Sequence, residues 1–467
     1  MHTKPAKPLG FFVLMLIIVG SIDSIRNLPA TAIFGEPLIF FFLFGAITFL
    51  LPTALLSAEL ASTWGEHGGI YFWVKKAFGD HVGTLAIWLQ WVNTVVWMPT
   101  ILSFIASTLA YLIAPKLATN PYYLLIAILT LLWLLTFITS KGIRISGKLA
   151  AGCTIFGVFL PMFALIILGA CWLASGKPVN LHLTWHGVIP HFTHWDSWVS
   201  LTAVMTSFLG AELATVNVRD VHNPTRNFPK ALLTAVILIL ITMILGSLTI
   251  ALMIPAHQIN LMNGTMETLQ GFFASYHLTY LMPIAVLMIF AGAFGEMVNW
   301  TTSPARGLTQ TIDNGYLPEL LRSPDTLIPY KRVLMVQSII ASFISCLFIL
   351  LPKINSSYWL LTVLSTEVYM AMYMMLFIAG LCLAYKFPND KATFKLPGGR
   401  VGRWLICCLG LIGTGLTLII GFFPPTDVAL SMSHYTHYFI VGLICMVLPV
   451  FGMFGYKAWN TWQGRKL

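Results

Sequence analysis

The sequence predicts an all-α membrane protein with about twelve transmembrane helices, and three observations lead to this fold class. The 467 residues are 58% hydrophobic and only 9% charged, whereas about a quarter of an average soluble domain is charged. The apolar runs reach the roughly 20 residues that a helix needs to cross a bilayer. Lys and Arg concentrate in alternate loops between these runs, as they do in cytoplasmic loops.

Twelve apolar runs separated by polar breaks are the predicted spans. They cover 9–34, 38–64, 82–114, 121–140, 146–174, 197–218, 229–255, 281–312, 331–351, 358–386, 402–423 and 435–459. Runs of this length favour helices over a barrel, because barrel strands are about ten residues long and alternate in polarity. The first ten spans divide into two sets of five, 9–174 and 197–386. Two more helices follow over 402–459, with short tails at 1–8 and 460–467.

The basic residues orient the predicted bundle. Of the 26 Lys and Arg residues, 22 lie in alternate loops that begin with the N-terminus, and only Lys116, Lys177 and Lys353 lie in the opposite loops. This asymmetry predicts a multi-pass protein of the plasma (inner) membrane with both termini in the cytoplasm. The net charge of +10 is therefore an anchoring pattern and not a nucleic-acid footprint.

Cysteine usage predicts neither a disulfide framework nor a metal site. All seven cysteines lie in apolar runs, and the chain contains no C-x-x-C motif. We interpret them as small packing residues. No cofactor is expected.

Polar residues interrupt the first and sixth spans at corresponding places. The first contains Gly20-Ser21-Ile22-Asp23-Ser24 with Pro29 beyond, and the sixth contains Gly210-Ala211-Glu212 with Pro224 beyond. Matched interruptions in two halves are typical of a transporter's midplane binding site. Freed N–H groups suit a carboxylate, and a buried acid suits an amine or a proton. We therefore predict substrate contacts at Gly20, Ser21, Asp23, Ser24, Gly210 and Glu212; the alternative is that Gly and Pro merely kink these helices.

Two further pairs at helical spacing are candidate substrate contacts. Glu296 and Trp300 lie one turn apart in the eighth span, and a carboxylate beside an aromatic ring suits an ammonium group. Tyr369 and Tyr373 have the same spacing in the tenth span, so their hydroxyls can line a pocket. Packing for Trp300 and ordinary interhelical hydrogen bonds for the tyrosines are the alternatives.

Two charged residues near the cytoplasmic side are candidate gating residues. Glu59 lies near the cytoplasmic end of the second span, where a salt bridge can close an inner gate. Arg144 lies in the basic loop that precedes the fifth span. We predict that both act in gating and not in binding.

Several short motifs occur in an order that is similar to that of a known family. They are Ile25-Arg26-Asn27-Leu28-Pro29, Ala58-Glu59-Leu60, Gly68-Gly69-Ile70-Tyr71, Gly210-Ala211-Glu212, Asn223-Pro224-Thr225-Arg226, Glu296-Met297-Val298-Asn299-Trp300, Ser303-Pro304-Ala305-Arg306-Gly307 and Phe394-Lys395-Leu396-Pro397-Gly398-Gly399. This set resembles the amino acid–polyamine–organocation superfamily of transporters, and within it the bacterial glutamate:GABA antiporters. The resemblance implies alternating access by an inverted repeat of five helices. It also implies that Glu212, Glu296, Trp300, Tyr369 and Tyr373 belong to the substrate path.

Two features depart from the glutamate:GABA antiporters. Those proteins carry a long C-terminal plug rich in basic residues and His, and this chain ends at Leu467, so we expect no such plug here. The break in the first span carries both Asp23 and Arg26. Either the added acid favours a cationic substrate, or Asp23 and Arg26 pair with each other at a spacing of three residues.

We therefore expect a secondary transporter of amino acids, an amino acid/amine antiporter of the glutamate:GABA type. Its expected partners are a small amino acid or amine, the lipid bilayer and, in one version of the mechanism, protons. A polyamine or cationic amino-acid permease is the alternative. An intramembrane enzyme or a receptor is disfavoured, because the chain shows neither H-E-x-x-H nor G-x-S-x-G.

Overall fold

The computed structural model describes residues 10–64, 69–142, 152–181, 183–190, 195–215, 224–325, 328–351, 354–388, 394–425 and 431–464. Within these ranges all regular secondary structure is helical. The all-α fold class predicted from the sequence is therefore confirmed for the described part of the chain.

Nineteen α-helices follow one another along these ranges. The first eight are α1 (Phe11–Ile22), α2 (Leu28–Ala32), α3 (Leu38–Gly45), α4 (Leu51–Trp64), α5 (Ile70–Phe78), α6 (Asp80–Ile113), α7 (Pro121–Ser140) and α8 (Leu160–Ala174). The others are α9 (Trp185–Val188), α10 (Trp195–Ser207), α11 (Ala211–Thr215), α12 (Pro224–Met253), α13 (Gly264–Ser275), α14 (Met282–Asp313), α15 (Lys331–Ser345), α16 (Leu347–Leu350), α17 (Ile354–Lys386), α18 (Gly399–Ile420) and α19 (Met432–Gly464). Turns of 3₁₀ helix lie at Ile25–Asn27, Pro115–Thr119, Ala256–Gln258, Thr279–Leu281 and Glu319–Leu321, and π-helical turns at Ala46–Leu50 and Ile155–Phe159.

Eleven helical segments in the described ranges are long and apolar enough to cross a membrane. Two examples, Phe11–Ala32 and Asp80–Ile113, end within two residues of the predicted spans 9–34 and 82–114. The chain is thus a multi-pass membrane protein. The inverted five-helix repeat and the boundaries of the two tails stay predictions.

The sixth predicted span does not form one long helix. Its apolar part, Trp198–Leu213, is shorter than the eleven long segments and is divided between α10 and α11. The first span is divided in the same way between α1 and α2. Both interruptions predicted from the polar residues are therefore present.

Three described helices that the sequence analysis did not anticipate, α5, α9 and α13, lie outside the predicted spans. The short helix α5 packs along α6, and α13 packs against α2 and α12. The Thr265 hydroxyl of α13 donates a hydrogen bond to the Ile25 carbonyl at 3.3 Å. This bond satisfies a carbonyl that the break in the first span leaves exposed, so α13 closes one side of the break.

Long helices around the two broken spans form the core. Helix α6 packs against both α14 and α17, and α1 packs against α12 and α11. Most of α6 is buried within the protein, including Gln90, Asn93 and Trp97 in its middle. The bundle therefore places polar side chains of α6, α14 and α17 beside the two breaks.

Candidate functional site

The break in the first span leaves two backbone donors without a helical partner. Asp23 and Ser24 have extended backbone conformations, with ψ angles of 121° and 122°. The first hydrogen bond after them runs from the Asn27 N–H to the Ser24 carbonyl at 3.0 Å. The N–H groups of Ile25 and Arg26 precede that bond and have no backbone partner in the described part of the chain. Unpaired N–H groups at a helix start are suited to binding a carboxylate.

The break in the sixth span depends on Gly210. This residue has a φ of +100°, a conformation that favours glycine. An ideally placed Cβ on Gly210 would lie 2.5 Å from Cζ2 of Trp300 and 2.7 Å from the carbonyl oxygen of Ser21. The Gly210 N–H donates to the Tyr373 hydroxyl at 3.1 Å. Only a residue without a side chain lets the two breaks touch each other here.

A small cavity, which we name the central cavity, lies between the two breaks. Its polar lining consists of Ser24, Arg26, Asn27, Asn93, Thr206 and Glu296. Its apolar lining consists of Ile22, Trp97, Leu209 and Trp300. The volume is about 20 Å³, which is room for about one water molecule. An amino acid needs more space, so this conformation is closed around the cavity, and substrate entry requires the lining to separate.

Glu296 places a carboxylate at the central cavity. Ser24 and Arg26 face the same cavity as this carboxylate, and the Arg26 guanidinium attracts the carboxylate through space. Arg26 itself donates a hydrogen bond to the Tyr358 hydroxyl at 3.1 Å and lies over the Trp97 ring at 5.3 Å. The cavity is therefore lined by one acidic side chain, Glu296 of the continuous helix α14, and one basic side chain, Arg26 of the broken first span.

Glu212 belongs to a closed hydrogen-bonded group beside the cavity. The hydroxyls of Tyr369 and Tyr373 donate to its two carboxylate oxygens, and the Gln90 amide reaches the same carboxylate at 3.5 Å. All four side chains are buried. We name these residues the Glu212 cluster; their donors provide hydrogen bonds to a carboxylate buried inside the membrane.

Aromatic rings connect the central cavity to the Glu212 cluster. The ring centroids of Trp97 and Trp300 lie 5.2 Å apart, and those of Trp300 and Tyr369 lie 6.2 Å apart. Tyr369 in turn lies 5.0 Å from Tyr373. Trp300 therefore borders the cavity on one side and contacts the cluster through Tyr369 on the other.

Three residues predicted to bind substrate make other contacts in the structure. Gly20 packs directly against Thr154, where a Cβ would clash with its hydroxyl. The Ser21 hydroxyl donates to a carbonyl one turn earlier in α1, at 2.7 Å. Asp23 accepts a hydrogen bond from Thr242 of α12 at 2.8 Å. None of the three lines the central cavity, so their roles as ligands stay predictions.

Asp23 and Arg26 do not form the ion pair that the sequence analysis considered. Oδ1 of Asp23 has no hydrogen-bond partner, and no ion pair within 4.0 Å joins it to Arg26 in the described part of the chain. The extended Ser24 turns the two side chains apart, because the i, i+3 spacing brings residues together only in a continuous helix.

The predicted gating acid Glu59 forms an ion pair, and its partner is distant in sequence. Oε1 of Glu59 lies 2.7 Å from Nη2 of Arg403 and accepts a hydrogen bond from the Leu396 N–H at 3.2 Å. The ion pair ties α4 to the first turn of α18, and the hydrogen bond ties α4 to the segment that precedes α18. Arg144, the other predicted gating residue, lies outside the described residues.

The sequence analysis missed several lining or supporting residues, among them Gln90, Asn93, Trp97, Thr206 and, as a cavity residue, Arg26. A signal for three of them was available. Gln90, Asn93 and Trp97 are spaced three and four residues apart, so they share one face of α6. Polar residues on one face of a membrane helix generally point to the bundle interior.

No group of three or more His, Cys, Asp or Glu side chains in the described ranges could hold a metal ion. All seven cysteines fall in those ranges and are free thiols. The site is therefore described by carboxylates, one guanidinium, hydroxyls, amides and aromatic rings.

Comparisons with known proteins agree on a family of membrane transporters. A family model described as amino acid permease matches residues 9–447. An uncharacterized transporter from Legionella pneumophila is 36% identical over 98% of both chains. A glutamate/gamma-aminobutyrate antiporter from Lactococcus lactis is 30% identical over 93% of this chain and 87% of its own. A probable agmatine/putrescine antiporter from the same species is 26% identical over 79% and 78%. This chain belongs to the amino acid permease family and is a membrane transporter, not an enzyme.

Proposed function

We propose that the chain exchanges an amino acid for an amine across the membrane by alternating access. The observation that carries this proposal is the central cavity, where the two broken spans meet. Arg26, at the break of the first span, lines one side of it, and the Glu296 carboxylate of α14 lines the other. Opposite charges facing one cavity complement a zwitterion. The glutamate/gamma-aminobutyrate antiporter at 30% identity supports the same substrate class.

The substrate carboxylate binds the free N–H groups at the start of the 3₁₀ turn, and the substrate ammonium binds Glu296. Trp300 lies one turn beyond Glu296 and lines the same cavity, so its ring can stabilise the ammonium by a cation–π interaction. Ser24 lines the same cavity from the first span. The two ends of an amino acid are thus bound by groups from different helices.

Closure on both sides of the cavity supports an alternating-access mechanism. Asn27 and Thr206 border the central cavity and also a second, smaller cavity lined by Tyr358 and Trp359. These residues lie on the 3₁₀ turn before α2, on α10 and on α17, so separation of these elements opens a path from that side. At the other end of the bundle, the Glu59–Arg403 ion pair closes α4 against the first turn of α18. One set of contacts must break while the other holds.

A polyamine carrier is the second candidate, because the probable agmatine/putrescine antiporter is 26% identical over 79% of the chain. The two candidates differ in what the cavity must attract. A zwitterion needs positive and negative partners, whereas a diamine needs carboxylates at both ends. Glu296 is one such carboxylate; Asp23 is turned toward Thr242.

The proposed location is the plasma (inner) membrane with both termini in the cytoplasm. The distribution of 22 basic residues against three supports this orientation. In this orientation the Glu59–Arg403 pair is the inner closure and Tyr358 belongs to the outer one. Protons can act as co-substrates in this mechanism when a carboxylate of the site gains and loses a proton during each exchange cycle.

Counterflow in proteoliposomes tests the proposed exchange. The full chain is reconstituted, and vesicles are loaded with unlabelled glutamate, gamma-aminobutyrate, putrescine or buffer alone. Entry of labelled glutamate or gamma-aminobutyrate is then measured with and without a protonophore. We expect rapid entry only into vesicles that contain an exchangeable substrate. Equal entry into empty vesicles contradicts exchange, and a strong effect of the protonophore assigns a proton to the cycle.

A further inference from the structure

Arg26 is a charged side chain whose burial in the membrane is energetically costly. It lies at the break of the first span, and only 3% of its surface is exposed. A guanidinium at membrane depth is costly unless a protein group or a ligand compensates its charge, and such residues are generally functional. The contacts of Arg26 therefore indicate what the charge is for.

The protein compensates this charge only in part. Arg26 donates one hydrogen bond to the Tyr358 hydroxyl and lies over the Trp97 ring, but its buried Nε has no hydrogen-bond partner. In the described ranges no carboxylate lies within 4.0 Å of it. A guanidinium carries five N–H donors in a planar fork that matches a carboxylate. Arg26 is thus held in position by its neighbours while donors remain unused.

The position of Arg26 directs it at the substrate. It lines the central cavity together with Glu296 and Trp300, and its own N–H is one of the two that the break leaves unpaired. Asp23, the other charged residue of the break, binds Thr242 outside this cavity. The charged lining of the cavity is therefore one guanidinium and one carboxylate.

We propose that Arg26 binds a carboxylate of the substrate and selects carboxylate-bearing substrates over diamines. The proposal rests on the exchange function proposed above and names the substrate class of that site. The site then has two groups that bind carboxylates, the free N–H groups and the Arg26 guanidinium, and one group, Glu296, that binds an ammonium. An acidic amino acid has two carboxylates and one ammonium, so it uses all three.

This arrangement also explains how two different molecules share one site. Removal of the α-carboxylate converts an acidic amino acid into an amine that keeps its side-chain carboxylate and its nitrogen. Arg26 and Glu296 then bind the groups common to both exchange partners, and only the N–H groups lose their ligand. A diamine instead brings a second positive charge toward Arg26, and like charges at low dielectric repel strongly.

Substitution of Arg26 in the reconstituted full chain tests the proposal. In counterflow, Arg26→Gln should raise the KM for glutamate and gamma-aminobutyrate by roughly 10- to 100-fold, the range for a lost hydrogen bond to a charged group. Arg26→Lys should lie between, because lysine keeps the charge without the fork. Putrescine should inhibit Arg26→Gln better than the wild-type chain. The matched control is Arg322→Gln, because Arg322 is surface-exposed and pairs with Asp313 and Glu319.

Ligand-induced thermal stabilisation in detergent provides a readout that needs no transport. Glutamate and gamma-aminobutyrate should raise the Tm of the wild-type chain and of Arg322→Gln, but not that of Arg26→Gln. A KM for both carboxylate substrates within twofold of wild type in Arg26→Gln overturns the proposal. If the wild-type chain binds diamines but neither glutamate nor gamma-aminobutyrate, the Arg26 proposal is also overturned, although the chain can still be a transporter. Carboxylate binding that depends on Arg26 without any counterflow supports the proposal and refutes exchange. If Arg26→Gln does not fold, the same criteria apply to Arg26→Lys, with a smaller expected shift.

Discussion

Gly210 and Ser21 touch at the point where both broken spans are interrupted: a Cβ on Gly210 would lie 2.7 Å from the Ser21 carbonyl oxygen. The first span cannot approach the sixth this closely with any other residue at position 210. The contact brings the unpaired N–H groups of the first span to the same cavity as Trp300. Placement of the site therefore depends on one glycine, and its replacement is the first test.

Replacement of Gly210 by alanine should separate the two breaks. The positive φ alone costs about 1–3 kcal/mol for a residue with a side chain, and the new Cβ would also meet Trp300. We expect a lowered Tm in detergent and loss of most counterflow. Gly415→Ala is the control, because Gly415 has open space around it and alanine favours a helix. Equal behaviour of the two variants would show that close contact at Gly210 is unimportant.

Glu296→Gln tests the partner of the substrate nitrogen. The amide keeps the size of the side chain but removes its charge, so ammonium binding should weaken by roughly 10- to 100-fold in KM. The exposed Glu319 pairs with Arg322, and Glu319→Gln should leave transport within twofold of wild type. If amine affinity is the same in Glu296→Gln and in the wild-type chain, Glu296 does not belong to the site.

In the Glu212 cluster, a single hydroxyl hydrogen-bonds both the carboxylate and the backbone at the break of the sixth span. The Tyr373 hydroxyl donates to Glu212 and accepts from the Gly210 N–H. Tyr373→Phe leaves two buried groups without this partner, which should cost about 1–3 kcal/mol for each group left unsatisfied. We expect a lower Tm than for Tyr280→Phe, whose ring is largely exposed. A Tm unchanged by Tyr373→Phe would mean that the cluster contributes nothing to stability.

The Glu59–Arg403 ion pair should act as a contact between two segments and not as a ligand site. Glu59→Arg and Arg403→Glu should each disturb exchange, because each places like charges in contact. The double variant, with Glu59→Arg and Arg403→Glu together, should restore much of the activity, since it restores the ion pair. Additive effects in the double variant would mean that the two residues act independently. The KM for substrate in the double variant should remain close to that of the wild-type chain.

The sequence predicted the parts of this architecture that depend on local composition. Apolar length marked the spans, and a glycine followed by an acid marked both interruptions. Glu296 and Trp300 were paired correctly because they lie on one face of a continuous helix. The predictions that depend on the geometry of the breaks were incomplete. The extended Ser24 turns Asp23 toward Thr242 and places Arg26 at the cavity, and helical spacing carries no information about that turn.

Contacts between segments that are distant along the chain could also not be predicted from the sequence. Glu59 was predicted to be a gating residue, but its described partner, Arg403, lies 344 residues away. The same is true of Glu212, whose bonds to Tyr369 and Tyr373 bridge the sixth and tenth spans. Single-sequence patterns rank these residues as functional candidates without pairing them. The structure assigns each carboxylate a different environment: Glu212 is enclosed by hydroxyls, Glu59 is paired, and Glu296 faces the cavity.

A cryo-electron-microscopy map of the full chain in lipid nanodiscs with saturating glutamate shows directly whether the central cavity binds substrate. We expect ligand density between Ser24, Arg26 and Glu296, with Trp300 against it and the first and sixth spans still interrupted. Density at another place, or spans that run as continuous helices past residues 23 and 210, would contradict it.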